Sequence, residues 1–127
     1  ILELIRNLFE SQDIYKKSGG VHSSALADDH VIIFQIEDVG RHNTLDKIAG
    51  KIFLENINPS PRIILSTGRI SSEMLQKAAR MKTSILISRT SPTSLSINLA
   101  QKLGITVIGY ARGHRFNVYS HPERVEF

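Results

Sequence analysis

Arginine recurs in four short polar turns, each placed directly after an apolar run of strand type. Arg41 stands in E-D-V-G-R-H-N (Glu37 to Asn43), Arg69 in S-T-G-R-I-S-S (Ser66 to Ser72), and Arg89 in S-R-T-S-P-T (Ser88 to Thr93). Arg112 and Arg115 share Y-A-R-G-H-R-F-N (Tyr110 to Asn117). A guanidinium is a planar fork of N–H donors that matches phosphate oxygens in pairs. Strands of an open α/β sheet deliver their carboxyl ends to one edge, where ligands usually bind. Arginines gathered there, beside helix N-termini with free N–H groups, would make an anion site, and phosphate is its first expected occupant.

Within the last turn, Gly113 lets the backbone approach a ligand or take positive φ. Arg112 and Arg115 can make bidentate bonds, His114 adds a donor, and Tyr110 or Phe116 offers a ring for a base or pterin. A hydrated basic hairpin turn explains the same residues equally well in isolation. The three other arginine turns tip the balance toward binding. In the Asp38–Asn43 turn, a catalytic reading makes His42 a general acid or base held by Asp38. The local reading pairs Asp38 with Arg41, caps a helix with Asn43 and leaves His42 on the surface. For catalysis the local reading is better; for ligand contact both stay open.

Ser66-Thr67-Gly68-Arg69 lacks the G-x-x-x-x-G-K-[ST] pattern, so nucleotide hydrolysis is not supported, and its hydroxyls can simply cap the following helix. Ser88-Arg89-Thr90-Ser91 carries the same ambiguity, and no G-x-S-x-G elbow makes Ser66 or Ser88 a nucleophile. His22, after Gly19 and Gly20, is either a pocket wall or a half-buried strand end. The five histidines show no H-x-x-x-H spacing, so no metal site and no catalytic residue is assigned.

The elements that must position these turns follow from periodicity. Ile1, Leu4, Ile5, Leu8 and Phe9 predict a helix over residues 1–15, and 21–27 with 31–37 predict a hairpin. Leu45, Ile48, Ala49, Ile52 and Phe53 predict a helix over 44–56 with Asn43 as N-cap. Strand 62–65, a helix capped by Ser71 or Ser72, strand 85–87, a helix from Pro92 to Leu103 capped by Ser91 and closed by Gly104, and strands 105–110 and 117–119 complete the chain. Alternating strands and helices with short connections predict an α/β domain with right-handed crossovers, a mixed sheet and helices on both faces.

The 127 residues suit one domain. No apolar run approaches the ~20 residues of a membrane helix. The net charge of +4 is spread singly over turns, which argues against a nucleic-acid backbone reader. Cysteine is absent, so this segment has no thiolate and no Cys-ligated zinc. Because it opens at Ile1 inside a helical pattern, the chain reads as a piece of a longer protein.

The strings S-G-G-V-H, E-D-V-G-R-H-N-T-L-D-K, S-T-G-R-I-S-S-E-M, S-R-T-S-P-T-S-L and R-G-H-R-F-N-V-Y-S-H-P-E-R, in this order from Ser18 onward, resemble the carboxyl-terminal part of the FdhD/NarQ family of formate dehydrogenase accessory proteins. Each string alone is weak; the ordered set is specific. The resemblance implies a cytidine-deaminase-like three-layer α/β/α fold with a mixed sheet, and a cytoplasmic, homodimeric sulfurtransferase accessory role. Sulfur would pass from a cysteine desulfurase to the molybdenum or tungsten bis(molybdopterin guanine dinucleotide) cofactor before its insertion into formate dehydrogenase. It further implies that Tyr110, Ala111, Arg112, Gly113, His114 and Arg115 contact that cofactor; Arg41, His42, Arg69 and Arg89 complete the candidate set. The family's C-x-x-C loop is expected just ahead of the helix at 1–15, so this segment alone should not transfer sulfur. Deamination is not implied, because the H-x-E and P-C-x-x-C zinc ligands are missing. A general nucleotide- or nucleic-acid-binding module and a structural dimerisation domain are the alternatives.

Overall fold

In the computed structural model, residues 22–28, 31–38, 40–112 and 115–125 are described; the helix expected over 1–15 lies outside them. The chain runs β1 (His22–Ala27), β2 (Ile32–Asp38), α1 (Arg41–Glu55), β3 (Ile63–Ser66), α2 (Ser72–Arg80), β4 (Ile85–Ser88), α3 (Ser94–Leu103), β5 (Thr106–Arg112) and β6 (Arg115–Val118), then a 3-10 turn at Pro122–Arg124. The strands form one mixed sheet in the order β2-β1-β3-β4-β5-β6. β1 is antiparallel to both β2 and β3, whereas β3, β4 and β5 are parallel and β6 returns antiparallel. It follows that β2, β3, β4 and β5 all point the same way. The mixed α/β class expected from the sequence is the class observed.

Each crossover (β2–α1–β3, β3–α2–β4, β4–α3–β5) steps in the same direction along the sheet. Crossovers of one hand stepping in one direction leave their helices on one face. Accordingly Leu45 and Ile48 of α1, Met74, Leu75 and Ala78 of α2, and Ala100 of α3 share a core with Leu26, Ile64, Leu86 and Val107. The three described helices thus cover one face, and the helix expected over 1–15 lies outside the described residues. The opposite face carries its own buried cluster, with Ala25, Ile63, Leu65, Ile87 and Ile108. Fully burying a leucine or isoleucine contributes about 1.5–3 kcal/mol, so these two clusters dominate the stability.

Two of the three helix starts differ from the pattern-based expectation. α1 begins at Arg41 with Gly40 as N-cap and no side-chain cap. Asn43 is instead inside the first turn, its Nδ2 3.4 Å from Asp38 Oδ1. Ser71 does cap α2, accepting from the Met74 N–H at 3.2 Å. α3 is capped by Thr93, not Ser91, through the Ser96 N–H at 3.1 Å. Pro92 stays extended because it forms a parallel bridge with Ile70: the Ile70 N–H reaches Ser91 O and the Thr93 N–H reaches Ile70 O. A residue before proline resists helical ψ in any case. Phe53, placed by periodicity on the inward stripe, is 84% exposed.

A clasp holds the carboxyl-terminal segment to the sheet. Ser120 Oγ accepts from the Val107 N–H at 2.8 Å and donates to Ile105 O at 2.7 Å, extending the β5 ladder with a side chain. Arg124 donates to the Gly104 carbonyl at the end of α3. His121 lies between two acceptors, Glu123 Oε1 at Nδ1 and Gln101 O at Nε2, both at 3.0 Å. Neither acceptor carries a proton, so both bonds form only with the imidazolium. The Gln101 carbonyl, and then Glu123, raise the His121 pKa. Since the raised value belongs to the folded state, the clasp's contribution is complete below the ordinary histidine pKa and is lost as pH rises through the folded one. The urea midpoint of the native chain should fall from pH 6 to pH 8.5 relative to that of His121→Gln. Parallel pH profiles for the two proteins would refute the clasp.

Candidate functional site: the carboxyl edge of the sheet

β2, β3 and β4 end on Asp38, Ser66 and Ser88, and all three residues close the strand in the same way. Asp38 Oδ1 accepts from the Gly40 N–H at 3.0 Å, Ser66 Oγ from Gly68 at 3.1 Å, and Ser88 Oγ from Thr90 at 3.0 Å. A short polar side chain that bonds the N–H two residues on turns the chain sharply and ends the ladder. Each turn then presents an arginine: Arg41, Arg69 and Arg89. The alternative that hydroxyls of this turn cap α2 is not what Ser66 does, since its hydroxyl accepts inside its own turn and Ser71 caps the helix.

The turns are stitched to one another. Ser88 Oγ donates to Gly68 O at 2.6 Å, the Arg89 N–H reaches Ser66 O at 3.2 Å, and the Tyr110 N–H reaches Thr90 O at 3.0 Å. On the other flank the Thr67 N–H bonds Ser23 O at 3.0 Å, and the Ser23 N–H bonds Thr67 Oγ1 at 3.1 Å. A buried hydroxyl pair, Ser24 Oγ to Thr44 Oγ1 at 2.7 Å, fastens the first turn of α1 onto β1. From β2 to β5 the edge is thus one hydrogen-bonded shelf. Ser24, Thr44 and Gly109 were missed by sequence reasoning. The available signal was polar residues at the ends of otherwise apolar strands.

β5 carries the most unusual backbone. Register shifts between Gly109 and Arg112, so Tyr110 and Ala111 bulge opposite Phe116. Tyr110 sits at φ 53°, the left-handed region, and is 43% exposed. A bulky residue there costs about 1–2 kcal/mol, and such strain concentrates at ligand sites. Ala111 is fully buried in the second core, so only its backbone can meet a ligand. Phe116 also packs on that core, which leaves Tyr110 as the available ring. Arg112 pairs in register with Arg115, which is exposed at the start of β6. Gly113 and His114 lie outside the described residues, as do the side chains of Arg41 and Arg112.

Electrostatics decide what the edge attracts. Arg69 and Arg115 are exposed and have no ion-pair or hydrogen-bond partner among the described residues; Arg89 is half-buried. The acid at this edge is already neutralised: Asp38 Oδ2 is 2.6 Å from Lys47 Nζ. The Lys47 ammonium, then the Gly40 N–H, hold the Asp38 pKa at about 2. A histidine–aspartate pair is not formed among the described residues, because Asp38 bonds Lys47, Gly40 and Asn43 and not His42; the pairing expected with Arg41 rests on a side chain outside the described residues. His42 is half-buried, and its Nδ1 is a buried atom with no partner among the described residues. His22 is paired in register with Asp38 and so stands on the same edge. Of the three described helices, α1 alone has an N-cap residue without a capping side chain, and the Asp38 carboxylate takes the Gly40 N–H at its start.

Comparison with known proteins settles the lineage. The FdhD/NarQ family profile matches residues 1–126. The chain belongs to the FdhD/NarQ family. It is 42% identical over 124 residues to the sulfur carrier protein FdhD of Bacillus pumilus (strain SAFR-032), covering 98% of this chain and 47% of that protein. Against the sulfur carrier protein FdhD of Staphylococcus aureus (strain MRSA252) it is 39% identical over 125 residues, 98% of this chain and 47% of the other. A solved structure described as a formate dehydrogenase accessory protein, from Desulfotalea psychrophila, superposes with a TM-score of 0.86 at 37% identity, over 98% of this chain and 54% of that one. The chain spans about half the length of the relatives it matches. Among the described residues no helix is long and apolar enough to cross a membrane.

Proposed function

We propose that this FdhD/NarQ chain is the cofactor-holding part of a formate dehydrogenase accessory protein. Its carboxyl edge binds the guanine dinucleotide ends of a molybdenum or tungsten bis(molybdopterin guanine dinucleotide) cofactor. In the complete protein, a sulfur carrier that works as a cytoplasmic homodimer, sulfur from a cysteine desulfurase reaches that cofactor before formate dehydrogenase receives it. The observation that carries this reading is the shelf itself: arginine turns closing parallel strands, next to an exposed tyrosine ring held at φ 53°.

The residues present fit such a ligand. Exposed Arg69 and Arg115 match phosphate oxygens, and Tyr110 offers a face to a purine. The orphaned Nδ1 of His42 gains a partner if a polar ligand atom reaches it. When bound, the metal centre supplies the site that accepts the sulfur atom. The chain's own residues bind and orient. The 127 residues contain no cysteine, so the carrier thiolate is supplied from outside them.

Guanosine diphosphate is the simplest probe. It should raise the melting temperature of the chain, because a ligand that binds only the folded state must stabilise it. Arg112→Ala and Arg115→Ala should each weaken its affinity by about tenfold or more without lowering the melting temperature of the free protein. No shift at millimolar nucleotide would favour a dimerisation domain. A steep loss of affinity with salt would favour a polyanion binder.

A further inference from the structure

A second concave feature lies away from the arginine shelf, toward the amino-terminal ends of β3 and β4. It is a cavity of about 430 Å³ between α1 and α2, reaching Asn58 and Arg62 ahead of β3. The cleft between α2 and α3 measures only about 170 Å³. The topology explains the difference: the β1–β2 hairpin adds two strands with no helix between them, so α1 must span β1 on its way from β2 to β3.

The cavity's chemistry is lopsided. Ala49, Ile52 and Met81 give it an apolar wall, and Phe53 stands at its rim 84% exposed, followed by Leu54 at 81%. Among the described residues, Arg62, Lys77, Arg80 and Lys82 line it against one carboxylate, Asp46. Both oxygens of Asp46 are consumed by Lys77 at 2.8 Å. The Arg62 guanidinium is held by the Met81 carbonyl and by Asn58 Oδ1, yet its buried Nε has no partner among the described residues. Arg80 and Lys82 are exposed with no partner among the described residues.

Cations crowded beside an apolar wall repel one another and favour an anionic occupant. A small anion would neutralise them but leave Phe53 at the rim in water. An occupant that satisfies both features carries carboxylates on one flank and large apolar side chains on one face. We propose that the α1–α2 cavity is the docking groove for an acidic amphipathic helix of a partner protein, with an apolar side chain entering beside Phe53 and carboxylates meeting Arg80 and Lys82. Docking here leaves the arginine shelf open for its own ligand. The proposal stands apart from the cofactor reading and survives or fails independently of it.

The test uses the whole chain and a fluorescein-labelled synthetic peptide of about four helical turns, with leucines at i, i+3, i+4 and i+7 and glutamates elsewhere. Anisotropy should show saturable binding, weakened by roughly tenfold or more in Phe53→Ser and in the Arg80→Glu, Lys82→Glu double variant. Arg115→Ala, on the other edge, should bind the peptide like the native chain. Because Phe53, Arg80 and Lys82 are exposed, the variants should keep the native melting temperature, which certifies their folding. Equal binding of a scrambled peptide of the same composition, or unchanged affinity in both variants, overturns the proposal. So does a native chain that ignores the peptide but self-associates on sedimentation through Phe53, since a second copy would then be the occupant.

Discussion

Gly109→Ala should lower the unfolding free energy by about 2 kcal/mol and the melting temperature by roughly 5–10 °C. Gly109 is fully enclosed where β5 meets the β4–α3 loop. A Cβ built there lies 2.9 Å from Pro92 Cδ, 2.9 Å from Tyr119 Cε2 and 3.0 Å from the Thr90 carbonyl oxygen. None of these is the far end of a flexible side chain. Two are ring atoms wedged in packed segments, and the third is the backbone acceptor of the Tyr110 N–H. To admit a methyl group the loop must move off the strand, and the hydrogen bond that seats Tyr110 goes with it. Nucleotide affinity should therefore fall together with stability. Chemical denaturation and calorimetry read both effects; a variant with native stability would show that β5 and the loop are less tightly joined than the structure has them.

Tyr110 supplies the opposite pattern, a gain in stability coupled to a loss in binding. Tyr110→Gly removes the left-handed penalty, whereas Tyr110→Ala keeps it, so the glycine variant should be the more stable of the two by about 1 kcal/mol. Both lose the ring. Stacking of a base on an aromatic side chain is worth about 1–3 kcal/mol, so both should bind guanosine diphosphate roughly 5- to 150-fold more weakly than the native chain. The comparison separates backbone strain from ring contact, because only the first distinguishes glycine from alanine. Native affinity in both variants would remove the tyrosine from the site and leave its strained backbone without a ligand-based reason.

The positions of the four arginine turns were legible because a strand of fixed direction can end on only one edge. Once Ile63–Ser66, Ile85–Ser88 and Thr106–Arg112 run parallel, Arg69, Arg89 and Arg112 must share that edge. Helix caps were less legible. Asn43, Ser91 and Ser71 are all good capping residues by type, yet only Ser71 caps. Asn43 leans back toward Asp38, and Ser91 gives its carbonyl to Ile70, both through contacts made by a neighbouring loop or strand end. Phe53 met the helical period but faces solvent, because a period reports which residues share a stripe and not where the stripe's edge lies.

Composition and periodicity by themselves determined the α/β class, the number and order of the described elements, and which residue types reach the carboxyl edge. Those properties depend on side-chain spacing and on chain direction, both local. Tertiary structure decided that the three described helices share one face, that Asp38 is spent on Lys47 and not on His42, and that Tyr110 is strained and exposed while Ala111 is buried. It also opened the basic groove between α1 and α2. Each of these depends on which strands become neighbours, and neighbours far apart in sequence are chosen by packing, which no local pattern encodes.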